Sequence, residues 1–464
     1  MPPIMSPSRR ELLKELSVVG ALGTLGGLPG LAPAAAAGRV IPWRNWSGGQ
    51  VCLPEARLAP ADEAQLVNLL QATTGPIRPV GSAHSFSALV PTSGTIVSLN
   101  NITGMIGSDP DKLQSEFYAG TRMSEMGEPL KEAGLALPNM SDIDYQTLAG
   151  AISTSTHGTG IKFGSYSTQV IGLRLVTAKG DVIDCDADHH PEIFNAARVS
   201  LGALGIITRV KLQNRKAFRL HSRQWIQSTE ELNDDMDRLV RDNEHFELNA
   251  ILHSDISLAT ATNETNDTRT IAKEGGGDGT NVGLLEMVDS HLRDHPRVQA
   301  AVLNFIAHRL DFPDVIDDSF RVFANVRDIR FNEMEYEVPV EAGPDCLRDV
   351  LKLVRDRNLH SYIPLEYRYV KGDDIWLSMF NGGDRCAISV HQYYDLDYHN
   401  FFAEVEPIFW RYEGRPHWGK LHNLNSNQLS RLYPHWKEFL DVRAELDPAG
   451  RLLNGHLRTL FGLT

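Results

Sequence analysis

Pro79-Val80-Gly81-Ser82-Ala83-His84-Ser85-Phe86 sets a histidine inside a turn of glycine and small residues. Such a turn lets backbone N–H groups close on a pyrophosphate, and a nest of these donors needs no lysine. Neither the P-loop lysine pattern nor G-x-G-x-x-G is present, so NTPase and Rossmann readings fail. Taken alone the turn is a weak signal, because a histidine in a Gly-Ser loop is more often structural or solvated. A second run, Asn139 to Gly160, contains Ser141, Asp142, Thr147, Gly150, Thr154, Ser155, Thr156 and His157. Its side chains are too small for a packed core element, which fits backbone laid against a bulky ligand; a tight β-bend with Ser/Thr turns fits equally well. Ser200 to Thr208, with Ile207, reads as an ordinary glycine-punctuated turn into a strand.

Three later groups carry charge or imidazole. Glu366-Tyr367-Arg368 lies on a strand, where positions two apart share a face, so its ion pair can stand over a cleft or merely on the surface. His391-Gln392-Tyr393 lies on another strand, and Pro416-His417-Trp418-Gly419-Lys420-Leu421-His422 follows near the end. Asp184, Asp186, Asp188, His189 and His190 could wrap a divalent ion and so motivate a metal-dependent hydrolase. Their spacing matches no metal motif, and an exposed acidic turn before a helix at Pro191 is the better reading.

The elements that must position these groups alternate in type up to about Lys216. Helices are expected over Ala61–Thr73 and Ser124–Ala133, and strands over Thr95–Leu99, Val170–Thr177 and Ile206–Leu212. After Arg219 the character changes: strands are expected at Phe320–Val326, Tyr336–Val340 and Ala387–Tyr393, with a helix over Cys346–Arg357. Ala261 to Asn281, rich in Thr, Asn, Asp and Gly, reads as a polar loop.

With 464 residues and 42% hydrophobic content the chain can bury a large core, and its body holds no apolar run long enough for a bilayer. A net charge of -14 without basic clusters argues against nucleic acid and anionic membranes. Cys52, Cys185, Cys346 and Cys386 form no C-x-x-C pair, which removes zinc knuckles and redox dithiols and leaves a long-range disulfide open. Ser8-Arg9-Arg10, an apolar Gly/Ala stretch from Leu16 to Leu31 and the run Ala34 to Ala37 read as a twin-arginine export signal over residues 1–37. The mature protein is then periplasmic or secreted, and because that machinery carries folded proteins, a cofactor inserted before export is expected.

Together and in this order, these segments resemble the vanillyl-alcohol-oxidase/PCMH-type FAD-linked oxidoreductases, and among them the sugar-1,4-lactone oxidase and alditol oxidase branch. His417-Trp418-Gly419-Lys420 is the most specific match, followed by the Gly81–Phe86 loop, Thr156-His157-Gly158, and the close from Asp447-Pro448-Ala449-Gly450 to Leu457-Arg458. The resemblance implies an α+β fold with an FAD-binding domain over 38–218 and a substrate domain over 219–464, whose segment 415–464 returns to the flavin. It implies FAD bonded through His84, with Pro79, Val80, Gly81, Ser82, Ala83 and Ser85 about the pyrophosphate. Thr147, Gly150, Thr154, Ser155, Thr156 and His157 then run along the cofactor, with Ile207 at the adenine side and His417 near the flavin. Glu366, Arg368 and Lys420 are implied as catalytic, and these with Asp142, His391 and Tyr393 as substrate-binding; no metal is implied.

Asp142 stands where alditol oxidases carry a serine, Tyr393 where they carry a smaller hydroxyl residue, and Ser141 where a small residue controls oxygen access. No cysteine matches the second flavin link of bicovalent relatives. The implied reaction takes a hydride from an alcohol carbon of a sugar lactone, with O2 as acceptor and H2O2 as product. A polyol substrate, or a dehydrogenase serving a quinone or cytochrome, are the near alternatives. A non-catalytic sugar-binding relative fits less well, since Glu366, Arg368 and Lys420 are all kept.

Overall fold

Three sheets organise the chain in a computed structural model that describes residues 41–270, 279–325 and 329–463. The leader read over residues 1–37 lies outside the described residues. Ala56–Leu58 and Ile77–Val80 both run parallel to Thr95–Ser98 between them. Parallel neighbours need a long connection, and the helix Glu63–Ala72 lies within it. Asp62 caps that helix, accepting from the Gln65 N–H at 2.8 Å, and Leu66 and Leu70, four residues apart, go into the core. Burying each contributes about 2 kcal/mol. A five-stranded antiparallel sheet follows, in the order Val182–Cys185, Val170–Val176, Ile206–Gln213, Gln114–Tyr118, Met105–Asp109.

Strands beyond residue 218 build an eight-stranded antiparallel sheet. Its order is Val315–Asp318, Arg219–Ser228, Ile256–Thr265, His245–Ala250, Leu365–Val370, Arg385–Tyr393, Phe331–Pro339, Arg415–Pro416. The helix Gly343–Asp356 buries Leu347, Val350, Leu351 and Val354, a helical stripe, and packs on this sheet.

Three expectations change here. Residues 319–323 form a helix, not a strand, because Phe320 and Phe323, three apart, both pack on the core; Phe320 lies against Gly127, where any Cβ would overlap its ring. Val326 lies outside the described residues. The loop read over Ala261–Asn281 is corrected at both ends: Ala261–Thr265 continues a ten-residue strand held on both sides, and a helix begins at Gly279, while residues 271–278 lie outside the described residues. The strand read from Tyr336 starts five residues earlier, at Phe331. The four cysteines are all free. Among the described residues no helix is long and apolar enough to cross a membrane.

The C-terminal segment crosses back to the first sheets. Phe86 N–H donates to Gly419 O at 2.7 Å and the Ser87 hydroxyl to Trp418 O at 2.7 Å. Asn454 donates its amide to Ala88 O at 2.8 Å and Pro91 O at 2.9 Å. Arg78, fully buried, donates to Leu89 O, Leu201 O, Gly202 O and Leu452 O, tying four segments together. These bonds hold His417–Lys420 against the His84 loop.

Candidate active site

A cavity of about 460 Å3, within the usual range for cofactor and substrate sites, joins the loop elements to the face of the eight-stranded sheet. Pro79 to Ser85, Thr147, Gly150, Thr154, Thr156, His157 and Ile207 line it, as do Asp142, Glu366, Arg368, His391, His417 and Lys420. Two expected residues do not. Ser155 is fully buried behind the wall, in a left-handed conformation (φ +57°), with its hydroxyl 3.2 Å from that of Ser378. Tyr393 packs its ring on Tyr362 and Tyr394, two residues beyond His391 on the strand, so it stands away from the lining.

The loop wall is shaped for close approach. Gly81 has no room for a Cβ, which would overlap the Thr147 hydroxyl, and Ala83 takes φ +57° to turn the chain at His84. The His84 ring packs 4.7 Å from that of Trp46, and its Nε2 is buried without a hydrogen-bond partner. Burial, with the nearby Lys420 charge, lowers its pKa to about 4, so the imidazole is neutral at physiological pH. A neutral ring with an unsatisfied buried nitrogen, beside a glycine cradle, fits a flavin edge with the pyrophosphate on the loop.

The opposite wall is a grid fixed by strand register. Asn249, Glu366, Ser389 and Glu335 are direct partners across four strands, and Glu247, Arg368, Ala387 and Glu337 form the next row. His391 pairs with Glu333 in the row on the other side. Since residues two apart share a face, all of these side chains stand on the same side of the sheet. Arg368 Nη2 donates to Glu335 Oε2 at 3.0 Å and pairs with Glu366 Oε2 at 2.9 Å. Glu335 also faces His157 Nε2 at 2.8 Å and accepts from the Ser389 hydroxyl, while the Lys420 ammonium donates to Glu333. Burial alone would raise the Glu335 carboxyl, but the charges of Lys420, Arg368 and His157 outweigh it and hold it well below the carboxylate range. The Lys420 charge does the same for Glu333.

Sequence reasoning missed Glu333 and Glu335. The signal was present: Glu333, Glu335 and Glu337 alternate with Met334, Tyr336 and Val338, and all six are buried. Strand periodicity reads this as one wet and one dry face; pairing of Phe331–Pro339 on both edges, under the His417 segment, makes both faces dry.

Glu337 differs from its neighbours. Both its carboxyl oxygens are buried without a hydrogen-bond partner, His157 Nε2 standing 3.8 Å from Oε1, and burial together with adjacent Glu335 pushes its pKa well above the ordinary value. A folded-state pKa raised above the unfolded one means that stability falls as pH rises above about 4.5, by up to about 1.4 kcal/mol per unit. Glu337→Gln removes that penalty. In thermal melts the variant is expected to match the wild type near pH 4 and to exceed it increasingly toward pH 7; a difference independent of pH would show that Glu337 is ionised in the fold.

His189 and the Asp186 carboxylate close on each other at 3.0 Å, and Asp186 caps the Asp188 and His189 N–H groups. Asp184 pairs with Arg174, so this acidic turn does not converge on a common centre. The hydrolase reading loses its site.

The loop cradle and charged sheet face define a flavin-dependent oxidoreductase. The FAD binding domain model matches residues 54–186, and the D-arabinono-1,4-lactone oxidase model matches residues 210–460. The chain belongs to the D-arabinono-1,4-lactone oxidase family. It is 36% identical to the L-gulono-1,4-lactone dehydrogenase of Mycobacterium tuberculosis over 427 residues, 90% of this chain and 99% of that protein. It is 29% identical to the L-gulonolactone oxidase of Scyliorhinus torazame, covering 90% of this chain and 98% of the relative. A solvent-stable cholesterol oxidase superposes with a TM-score of 0.76 at 17% identity, over 90% of this chain and 97% of that one, a likeness of fold alone. The architecture is therefore the α+β, two-domain vanillyl-alcohol-oxidase/PCMH type, with FAD as cofactor.

Proposed function

We propose that the protein oxidises a hydroxyl-bearing carbon of a sugar-derived 1,4-lactone of the L-gulono or D-arabinono type, with FAD bonded to His84 and O2 as electron acceptor. The observation that carries this reading is the buried charge grid Glu333–Lys420 and Glu335–Arg368–Glu366, facing the same cavity as the unpartnered His84 nitrogen.

Bound FAD supplies a two-electron hydride acceptor. The chain supplies binding and electrostatics. Arg368 and Lys420 set positive charge where the alcohol oxygen gains electron density, and neither has to move, because Glu335, Glu366 and Glu333 hold them. Glu366 can also accept from a substrate hydroxyl, and Asn249, whose amide has no side-chain partner among the described residues, offers donor and acceptor at the outer end of its row. Trp46, Phe86 and Phe331 form an aromatic cluster that keeps water from the His84 side.

Turnover of L-gulono-1,4-lactone and D-arabinono-1,4-lactone, with alditols beside them, tests the substrate class. Oxygen uptake matched by H2O2 is expected with a lactone, with alditols far slower; turnover of alditols alone overturns the lactone assignment. A dehydrogenase is the second reading, favoured by the name of the relative at 36% identity. Fast dye reduction with negligible oxygen uptake would establish it. Export through the twin-arginine route belongs to the same proposal, supported by Arg9-Arg10 and the run Ala34 to Ala37. Intact-mass analysis of protein from the periplasm or medium is expected to show a chain starting near residue 37 or 38; an uncleaved cytoplasmic chain contradicts it.

A further inference from the structure

We propose that His391 is the catalytic base that takes the hydroxyl proton, and that Glu333 stabilises the imidazolium so formed. This deepens the lactone-oxidation reading and rests on it. His391 Nδ1 lies 3.0 Å from Pro364 O, and since a carbonyl only accepts, Nδ1 carries the hydrogen. That leaves Nε2 with its lone pair, on a ring that lines the cavity. Glu333 Oε1 stands 3.5 Å from Nε2, and a carboxylate facing a bare ring nitrogen forms no hydrogen bond with it.

Of the other imidazoles on the cavity, His84 is the one assigned to the flavin bond, and the remaining two are spent. His157 has both nitrogens on acceptors, Gly158 O and Glu335. His417 has the opposite tautomer: its Nδ1 accepts the Gly419 N–H at 3.0 Å, so Nε2 bears the hydrogen and can only donate. Backbone groups thus fix one imidazole as donor and one as acceptor in a single cavity. Among the carboxylates, Glu335 and Glu366 share Arg368 and Glu333 is bound by Lys420.

In the step, the substrate O–H bond breaks and its proton goes to His391 Nε2. The oxygen pair becomes the C=O π bond, and the carbon-bound hydrogen leaves with its electron pair to FAD, the oxidant. The new Nε2–H then donates to Glu333, and the proton later passes to water. The charged and titratable groups facing the ring are Glu333 and Glu366 on the flanking strands, with Lys420 bound to Glu333; the Phe331 ring covers its edge at 5.1 Å.

The test uses holoenzyme with a lactone. His391→Ala is expected to keep the flavin spectrum and to lose 100- to 10,000-fold in kcat/KM, about the range for a general base. The acidic limb of its pH profile should vanish, and added imidazoles should restore rate in the order of their basicity. An active wild type whose variant keeps that limb, or loses less than about tenfold, overturns the base alone. A wild type with intact flavin that never oxidises a lactone overturns both readings. Independently of turnover, 15N-histidine spectra of the resting protein, with His391→Gln for assignment, are expected to show a protonated Nδ1 and a bare Nε2; a protonated Nε2 in the neutral ring overturns the assignment even if the alanine variant fails to fold.

Discussion

Arg368→Met is expected to cut kcat by at least 100- to 1,000-fold and to destabilise the fold by about 3–5 kcal/mol. Two independent consequences add up here. Catalytically, the guanidinium is the fixed positive charge on the cavity floor, and its loss leaves the developing charge on the alcohol oxygen to Lys420 alone. Structurally, Glu335 and Glu366 share this one guanidinium in a site where all three side chains are under 10% exposed. Removing the shared cation strands two carboxylates that burial disfavours. Arg368→Lys keeps the charge but loses the planar fork that reaches both partners, so it should recover part of the stability and little of the rate. Thermal melts and steady-state kinetics on flavin-loaded protein check both effects. A methionine variant with near-normal kcat would remove the sheet face from the chemistry.

His84→Ala is expected to convert the flavin from acid-stable to freely extractable. In the wild type, yellow colour should stay with the acid-precipitated protein; in the variant, all of it should appear in the supernatant. Phe86 and the Gly81 cradle still line the cavity in the variant, so some flavin should bind reversibly. Wild-type flavin that extracts fully would leave His84 as a packing residue with a low pKa and no bond to the cofactor.

The Gly81–Ser85 loop and His417–Lys420 were legible from sequence because each needs particular small or charged residues in a fixed local order, and the structure brings both to one cavity. Glu366 and Arg368 were legible as a pair from period-two spacing alone. What sequence did not disclose was the third partner. Glu335 joins them only because Phe331–Pro339 pairs with Arg385–Tyr393, which in turn pairs with Leu365–Val370, a register set by long-range contacts. Tyr393 was misplaced for a related reason. It shares the face of His391 but lies two residues farther along, where its ring packs on Tyr362 and Tyr394. The helix at 319–323 reflects tertiary packing of Phe320 and Phe323 overriding a β-prone run.

On the proposed reading, FAD held in this cavity takes a hydride from a sugar lactone. Anaerobic mixing of the purified protein with L-gulono-1,4-lactone or D-arabinono-1,4-lactone tests it most directly, with the visible flavin bands as readout. Those bands are expected to bleach within the time of a turnover and to return when acceptor is admitted. Bands that stay unchanged with both lactones, in protein that dithionite still reduces, would contradict it.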